Sequence, residues 1–409
     1  MTTYIAGWIL ERGSSWGVSI ALTERINRLT DERDRWLTLL SDMVNVDSGP
    51  GDQVGASKML DILTGVWSEV GCSIEVVETV PPVLLATRPG RGSRVLMIGH
   101  YDTVFPSGTV DRRPFRIQDG RGYGPGAADM KAGLVAQAAC VSLLEADSCA
   151  LTVLINGDEE SGSVSSRALI EKKASTADVA LVFEPGEADG AVVLGRPGVR
   201  RFRVSTRGRA AHSGVEPEMG RNAIEGIAHL VLAMQDLGKR GDFGTITVSQ
   251  ISGGNRPNIV PEAASLIVDA RVPSDEVGDW LVDELDRLVG GVPVEGISGH
   301  LEHLEARPAF PLSSEGNRLA DLLEEVGSKS SIHVEGRSAR GSSDGNFTAG
   351  RGVPTIDGLG PPGGRFHTED EWFDVNGVFT RAALIAGLMD ELGEQGDVVA
   401  DSSIPALGV

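Results

Sequence analysis

Three stretches decide the fold: VLMIGHYD at residues 95–102, LTVLINGDEE at 151–160 and VALVFE at 179–184. Each opens on an apolar run as long as a strand buried on both faces, at 95–98, 151–155 and 179–183, and closes on imidazole or carboxylate side chains. Helical patterns at 130–145 and 165–173 separate the runs, which is the alternation of crossover connections in an α/β sheet. In such sheets ligands bind beyond the carboxyl ends of the strands. His100, Asp102, Glu159, Glu160 and Glu184 are therefore expected to converge on one rim. A single carboxylate in such a loop reads as a surface charge. Several of them at the ends of buried strands repel and desolvate one another unless a cation neutralises them. Two more loops add ligand types: the glycine-rich turn at 122–126 delivers Asp129 at the start of a helix, and the turn at 363–367 brings His367 after a strand at 355–357. Nitrogen and oxygen donors without thiolates suit zinc in a catalytic setting, with cobalt and manganese as alternatives.

Outward from these stretches the chain divides in two. Apolar residues recur at helical spacing from Leu22 through Trp36 to Met43, and a second helix is expected over 54–70. Between 199 and 305 the pattern becomes strand (201–206), helix (223–237), strand (245–251), strand (264–271), helix (277–289), strand (294–301). That βαββαβ order predicts a ferredoxin-like unit, complete in itself and inserted in a larger α/β domain made of 21–198 and 306–409. A helix at 317–326, the strand at 355–357 and a helix at 378–392 complete the larger unit. The arginine-rich segment Arg196, Arg200, Arg201, Arg203, Arg207 and Arg209 reads as an edge strand guarded by charge, or alternatively as a means of steering anionic substrate.

The 409 residues suffice for two or three domains, and 41% apolar with 23% charged residues suits packed cores rather than disorder. Thirty-seven basic against 58 acidic side chains leave a charge of −21, which repels a phosphate backbone and argues against nucleic acid as a partner. No apolar run reaches the roughly 18 residues of a spanning helix, and no basic segment precedes an apolar one at the start, so neither membrane insertion nor export is expected. Residues 1–20 read as an N-terminal extension with no assigned role. Cys72, Cys140 and Cys149 are too few and too scattered for a disulfide framework or a thiolate zinc site, and they suit the cytoplasm.

The motifs HYDTV at 100, GRGYGPGAADMKAGL from 120, NGDEESGS at 156, FEPGE at 183, AAHSG at 210, RPNIVP at 256 and DGLGPPGGRFHTEDE from 357 occur in that order. Together they resemble the dizinc metallopeptidases that include carboxypeptidase G, acetylornithine deacetylase, succinyl-diaminopimelate desuccinylase and the aminoacylases, over nearly the whole chain. The resemblance implies a zinc-peptidase catalytic domain, a mixed sheet flanked by helices, with 199–305 as a lid and dimerisation domain. It implies that His100, Asp129 and Glu184 hold one zinc ion and Asp129, Glu160 and His367 a second, with a water between them. Asp102 would fix the His100 tautomer, and Glu159 would move the proton from that water to the leaving amine. His212, reaching over from a partner subunit, would stabilise the oxyanion. Arg271 would grip a substrate carboxylate, unless it serves a surface ion pair with Asp269 or Asp275; Arg307 faces the same choice. Asn258 and Gly360 are carried over as substrate-contacting positions.

Within the family, YGPG, EPGE and DGLGP are most similar to carboxypeptidase G, which implies a small peptide or N-acyl amino acid substrate, with C-terminal glutamate a candidate. Ala132 departs from the glycine usual after DMK, and residues 1–20 are unmatched; neither is an implied ligand. The rival expectations are an N-acyl amino acid deacylase of the acetylornithine deacetylase or desuccinylase type, and a catalytically silent peptide-binding member.

Overall fold

The three deciding runs become the strands Arg94–His100, Ala150–Asn156 and Val179–Val182 of a computed structural model that describes residues 22–146, 148–239 and 244–394. The expected extension at 1–20 lies outside the described residues. Because side chains alternate along a strand, Val95 and Met97 enter one core with Val153, Ile155 and Leu181. Leu96 and Ile98 enter another, with Leu154, Ala180 and Val182. Burial on both faces is why these runs are continuously apolar. With Thr355–Ile356 they pair in parallel, while Ser73–Val77 and Val83–Arg88 pair antiparallel. The mixed sheet runs Ser73–Val77, Val83–Arg88, Ala150–Asn156, Arg94–His100, Val179–Val182, Thr355–Ile356 from edge to edge.

Helices Leu22–Asp31, Arg33–Val44, Ala132–Ser142 and Val375–Glu394 contribute to the first core, and Arg167–Ala174 and Gly345–Ala349 to the second. The single helical stretch expected from Leu22 to Met43 is broken at Glu32, and the helix expected from 130 begins at Ala132, because Asp129 and Met130 have non-helical backbone angles. Ala132 is fully buried, and the residue after it carries the packing constraint: a Cβ on Gly133 would lie 2.1 Å from the Phe183 carbonyl oxygen. Only glycine lets the helix approach the strand end this closely.

Two features set the rim. His100 stands opposite Asn156 and Ile98 opposite Val182, so the three strands end together. A small antiparallel sheet, Arg116–Gln118, Arg121–Tyr123, Trp372–Asp374 and Gly363–Gly364, ties the chain just before Asp129 to the segments on either side of His367.

The second large sheet runs Thr245–Gly253, Ala263–Val272, Gly198–Arg207, Ser298–Arg307, antiparallel throughout. Helices Ala223–Gly238 and Asp275–Gly290 pack on it around Phe202, Val204, Leu230, Leu266, Val268 and Leu281. Asn222 and Ser274 cap them, accepting from the amides of Ile224 and Val277. The last strand begins at Ser298 rather than 294, since Val294 is used in a turn. The arginine-rich segment corrects an expectation: Gly198–Arg207 is an inner strand, not an edge. Its charges are answered from both neighbours, Asp269 standing directly opposite Arg201 on one side and Glu305 on the other. The chain enters and leaves this sheet side by side, with Val199 paired to Arg307 and Arg196 bridging Phe310. Among the described residues no helix is long and apolar enough to cross a membrane.

Candidate metal centre

His100 ends its strand 1% exposed, with its two ring nitrogens facing different ways. Nδ1 lies 3.2 Å from an Asp102 carboxylate oxygen and 3.1 Å from the Asp102 carbonyl. Nε2 lies 3.2 Å from Asp129 Oδ1 and 3.7 Å from Glu184 Oε1. Asp102 also accepts from the backbone amides of Glu159 and Glu160 at 3.2 and 3.0 Å, so one carboxylate orients both the imidazole and the acidic turn beside it. The other oxygen of Asp129 lies 3.3 Å from His367 Nε2, which is 3.2 Å from Glu160 Oε1. Asp129 thus sits between a His100–Glu184 side and a His367–Glu160 side. Donor atoms of His100, Asp129 and Glu160 lie within 4.8 Å of one another, as do those of His100, Glu159 and Glu184.

The electrostatics match what a cation requires. Among the described residues, the ion-pair partners of Asp129, Glu160 and Glu184 are the two imidazoles. Burial pushes Glu184 well above the usual carboxylate range, and the Asp129 charge adds to it. Glu160 is raised by burial against the pull of His367. Burial works to raise Asp129 too, but His100 and His367 hold it below its ordinary value. Burial alone would lower His100, yet hydrogen bonds to Asp102, Asp129 and Glu184 raise it well above the usual imidazole range. Hydrogen bonds to Asp129 and Glu160 raise His367 to about 10. The directions of these shifts show that the three carboxylates favour positive charge among them, a demand that divalent cations would meet. The donors, two imidazole nitrogens and three carboxylates, fit such cations.

The cluster floors a cleft of about 380 Å³ whose other wall comes from the second sheet: Val199, Arg201, Arg271, Glu305 and Arg307. Arg271 combines both expectations, lining the cleft while bonded to both Asp269 oxygens at 2.8 and 3.2 Å. Arg307 is no surface residue: its side chain is 4% exposed and Nη1 donates to Glu159 Oε1 at 2.8 Å. Arg201 donates to Glu305 at 2.5 Å and Asp269 at 3.1 Å, and Arg307 reaches Glu305 at 3.4 Å. The wall is therefore a ladder of alternating charge, Arg271–Asp269–Arg201–Glu305–Arg307–Glu159.

Three carried-over positions are not brought to this cleft. His212 and Asn258 are exposed on the second sheet's unit, joined to each other's surroundings by the Ser213 amide donating to the Asn258 carbonyl. Gly360 is buried behind the metal cluster: its amide donates to the Glu184 carbonyl at 2.8 Å, and a Cβ there would lie 2.8 Å from that oxygen. It backs Glu184 rather than facing a ligand.

Sequence reasoning missed Glu371 and Asp344, and gave Arg201 only as one charge of an arginine-rich segment. Glu371 Oε1 accepts from the amides of Ala128 and Asp129 at 2.8 and 3.1 Å, supporting the Asp129 turn, and burial with the Asp129 charge pushes it up to about 7. Its spacing of four from His367 is the only local signal.

The sequence model of peptidase family M20/M25/M40 matches residues 96–391. The chain is 31% identical over 379 residues to carboxypeptidase G2 of Pseudomonas sp. (strain RS-16), covering 89% of this chain and 91% of that one. It is 26% identical over 374 residues to succinyl-diaminopimelate desuccinylase of Anaplasma marginale, covering 85% and 94%. The crystal structure of an aminopeptidase from Bacillus cereus shares the fold, with a TM-score of 0.75 at 23% identity, covering 88% of this chain and 98% of that one. With imidazoles and carboxylates gathered at the strand ends, this chain belongs to peptidase family M20/M25/M40 and is a metal-dependent hydrolase of peptide or amide bonds.

Proposed function

We propose that the enzyme removes a C-terminal amino acid from a small peptide or N-acyl amino acid, using two zinc ions held by His100, Asp129 and Glu184 on one side and Asp129, Glu160 and His367 on the other. Cobalt or manganese would satisfy the same donors. The observation that carries the reading is the Glu159 carboxylate, which has a donor atom within 4.8 Å of those of His100 and Glu184 while its Oε1 is held by Arg307. When bound, the cations supply Lewis acidity, polarising the scissile carbonyl and lowering the pKa of a water. Glu159 accepts a proton from the attacking water and delivers it to the departing nitrogen. Asp102 keeps the His100 ring in place, and Arg271, in the same cleft, offers a fork of donors to the substrate carboxylate.

Residues 199–305 act as lid and dimerisation unit in this reading, with catalytic residues from 21–198 and the segment after 306. His212 completes the oxyanion site from the other subunit of a homodimer, which fits its exposure away from its own cleft. A cytoplasmic location fits three cysteines that are all free and buried. The second reading, an N-acyl amino acid deacylase, draws support from the likeness to desuccinylases. A panel of folate-like, acetylated and succinylated amino acids, offered to zinc-loaded protein, separates the two. Preferential cleavage of C-terminal glutamate conjugates is expected; faster cleavage of succinylated or acetylated amino acids would replace the first reading with the second.

A further inference from the structure

Glu159 does not hold itself in place. It lies on a short turn, Glu159–Ser161, and Arg307 grips it twice: Nη1 donates to Oε1 and Nη2 to the Glu159 carbonyl, both at 2.8 Å. Arg307 ends the edge strand of the second sheet where the chain returns to the main body, so its guanidinium can be held from the catalytic side. Asp344 is placed to do this. It is 1% exposed, with Oδ1 3.6 Å from Arg307 Nη1. Three residues along the same helical turn, Phe347 lays its ring 5.3 Å from the Arg307 guanidinium. Asp344 is itself immobilised: Oδ1 accepts from Ser163 Oγ at 2.5 Å and Oδ2 from Asn156 Nδ2 at 2.6 Å. Asn156 is the last residue of its strand, so the chain of contacts runs from the sheet through Asp344 and Arg307 to Glu159.

We propose that Asp344 is a positioning residue that, through Arg307, sets the direction of the Glu159 carboxylate in the cleft. This rests on Glu159 being the proton carrier of the proposed function. Asp344 touches neither the metal donors nor the cleft, and its only cationic neighbour within 4 Å among the described residues is Arg307.

The test is Asp344→Asn in the zinc-loaded full-length enzyme, at pH 8. The substitution keeps the volume. The new carboxamide oxygen can still accept from Asn156 Nδ2, and the new NH2 can donate to the Ser163 hydroxyl oxygen in place of the bond the carboxylate accepted there. What is lost is the negative charge beside Arg307. A fall in kcat of about 10- to 100-fold is expected, with KM within about 2-fold and metal content unchanged, the pattern of a misaimed group rather than lost binding. In an Arg307→Lys background the same change should lower kcat by less than about 3-fold, since the two residues act as one unit. A kcat within about 3-fold of wild type, an equal loss in both backgrounds, or a loss accompanied by missing zinc overturns the proposal. If Asp344→Asn does not fold, Ser163→Ala, which removes the hydroxyl between Asp344 and Arg307, should lower kcat by about 3- to 10-fold at unchanged KM; an unchanged kcat overturns it. Wild-type protein that turns over no panel member sinks the proposed function as well, so the two failures are told apart.

Discussion

The cleft holds two groups of acidic side chains that solve the same electrical problem differently. On its floor, Asp129, Glu160 and Glu184 have only imidazoles as ion-pair partners among the described residues. On its wall, Asp269, Glu305 and Glu159 are each bonded to arginine. The wall is complete as it stands, whereas the floor is built to receive positive charge from outside. Cation dependence is thus a local property of the strand ends, not of the acidic protein as a whole.

The sharpest way to break this contrast is to remove the metal. Chelated protein should lose all turnover and regain it with zinc. It should also show a pH signature that loaded protein lacks. His367 is raised to about 10 in the metal-free cluster, above the roughly 6.5 of a free imidazole, so its stabilisation is full below that lower value and lost as pH climbs through the upper one. Thermal unfolding of chelated protein should therefore fall in midpoint between about pH 7 and 10, while zinc-loaded protein stays level. Parallel curves for both forms would sink the assignment of His367 to the metal.

Next in size, Glu159→Gln should lower kcat by about 10²- to 10⁴-fold with metal content intact. His367→Ala should lose metal as well as rate; equal metal loss in the two variants would erase the distinction between wall and floor.

On the wall alone, Arg271→Met should raise KM for substrates with a free carboxylate by about 10- to 100-fold, the weight of a charged hydrogen bond, without affecting bound zinc. Unchanged KM would remove Arg271 from recognition. The smallest effect belongs to Asp269→Asn. Its partner Arg201 is 40% exposed, so solvent screening holds the stability change to about 0–1 kcal/mol in a urea titration. If Arg271 grips the substrate carboxylate as proposed, Asp269 competes for it and KM should drop slightly; a rise would mean that Asp269 aims the guanidinium instead.

How far the sequence could be read follows the same division. His100, Glu160 and Glu184 were legible because each of these donors follows an apolar run, and strand ends in a parallel sheet meet whatever their separation along the chain. Asp129 and His367 were legible as donors on turns, but which donors share a cation came only with the ordered motifs, since the small sheet that unites their turns has strands of only two or three residues. The wall was legible only at Arg271, Arg307 and Glu159, not as a ladder. Arg201 and Arg203 alternate with Phe202 and Val204 as they would on a charged edge strand, and only the cross-strand register reveals that Asp269, Glu302 and Glu305 answer them. Asp344 lies in SSDGN, which reads as a turn before a short helix, and its partners Asn156, Ser163 and Arg307 are supplied by other parts of the chain.

The adjoining stems at Val199–Arg307 and Arg196–Phe310 carry a consequence for how such enzymes diversify. Since the outgoing and returning strands are neighbours, the loops and helices between them can lengthen, shorten or be exchanged without changing the gap that the main body must span. Such an exchange would leave the exit of the unit where it is, and with it the contact from Arg307 back to Glu159.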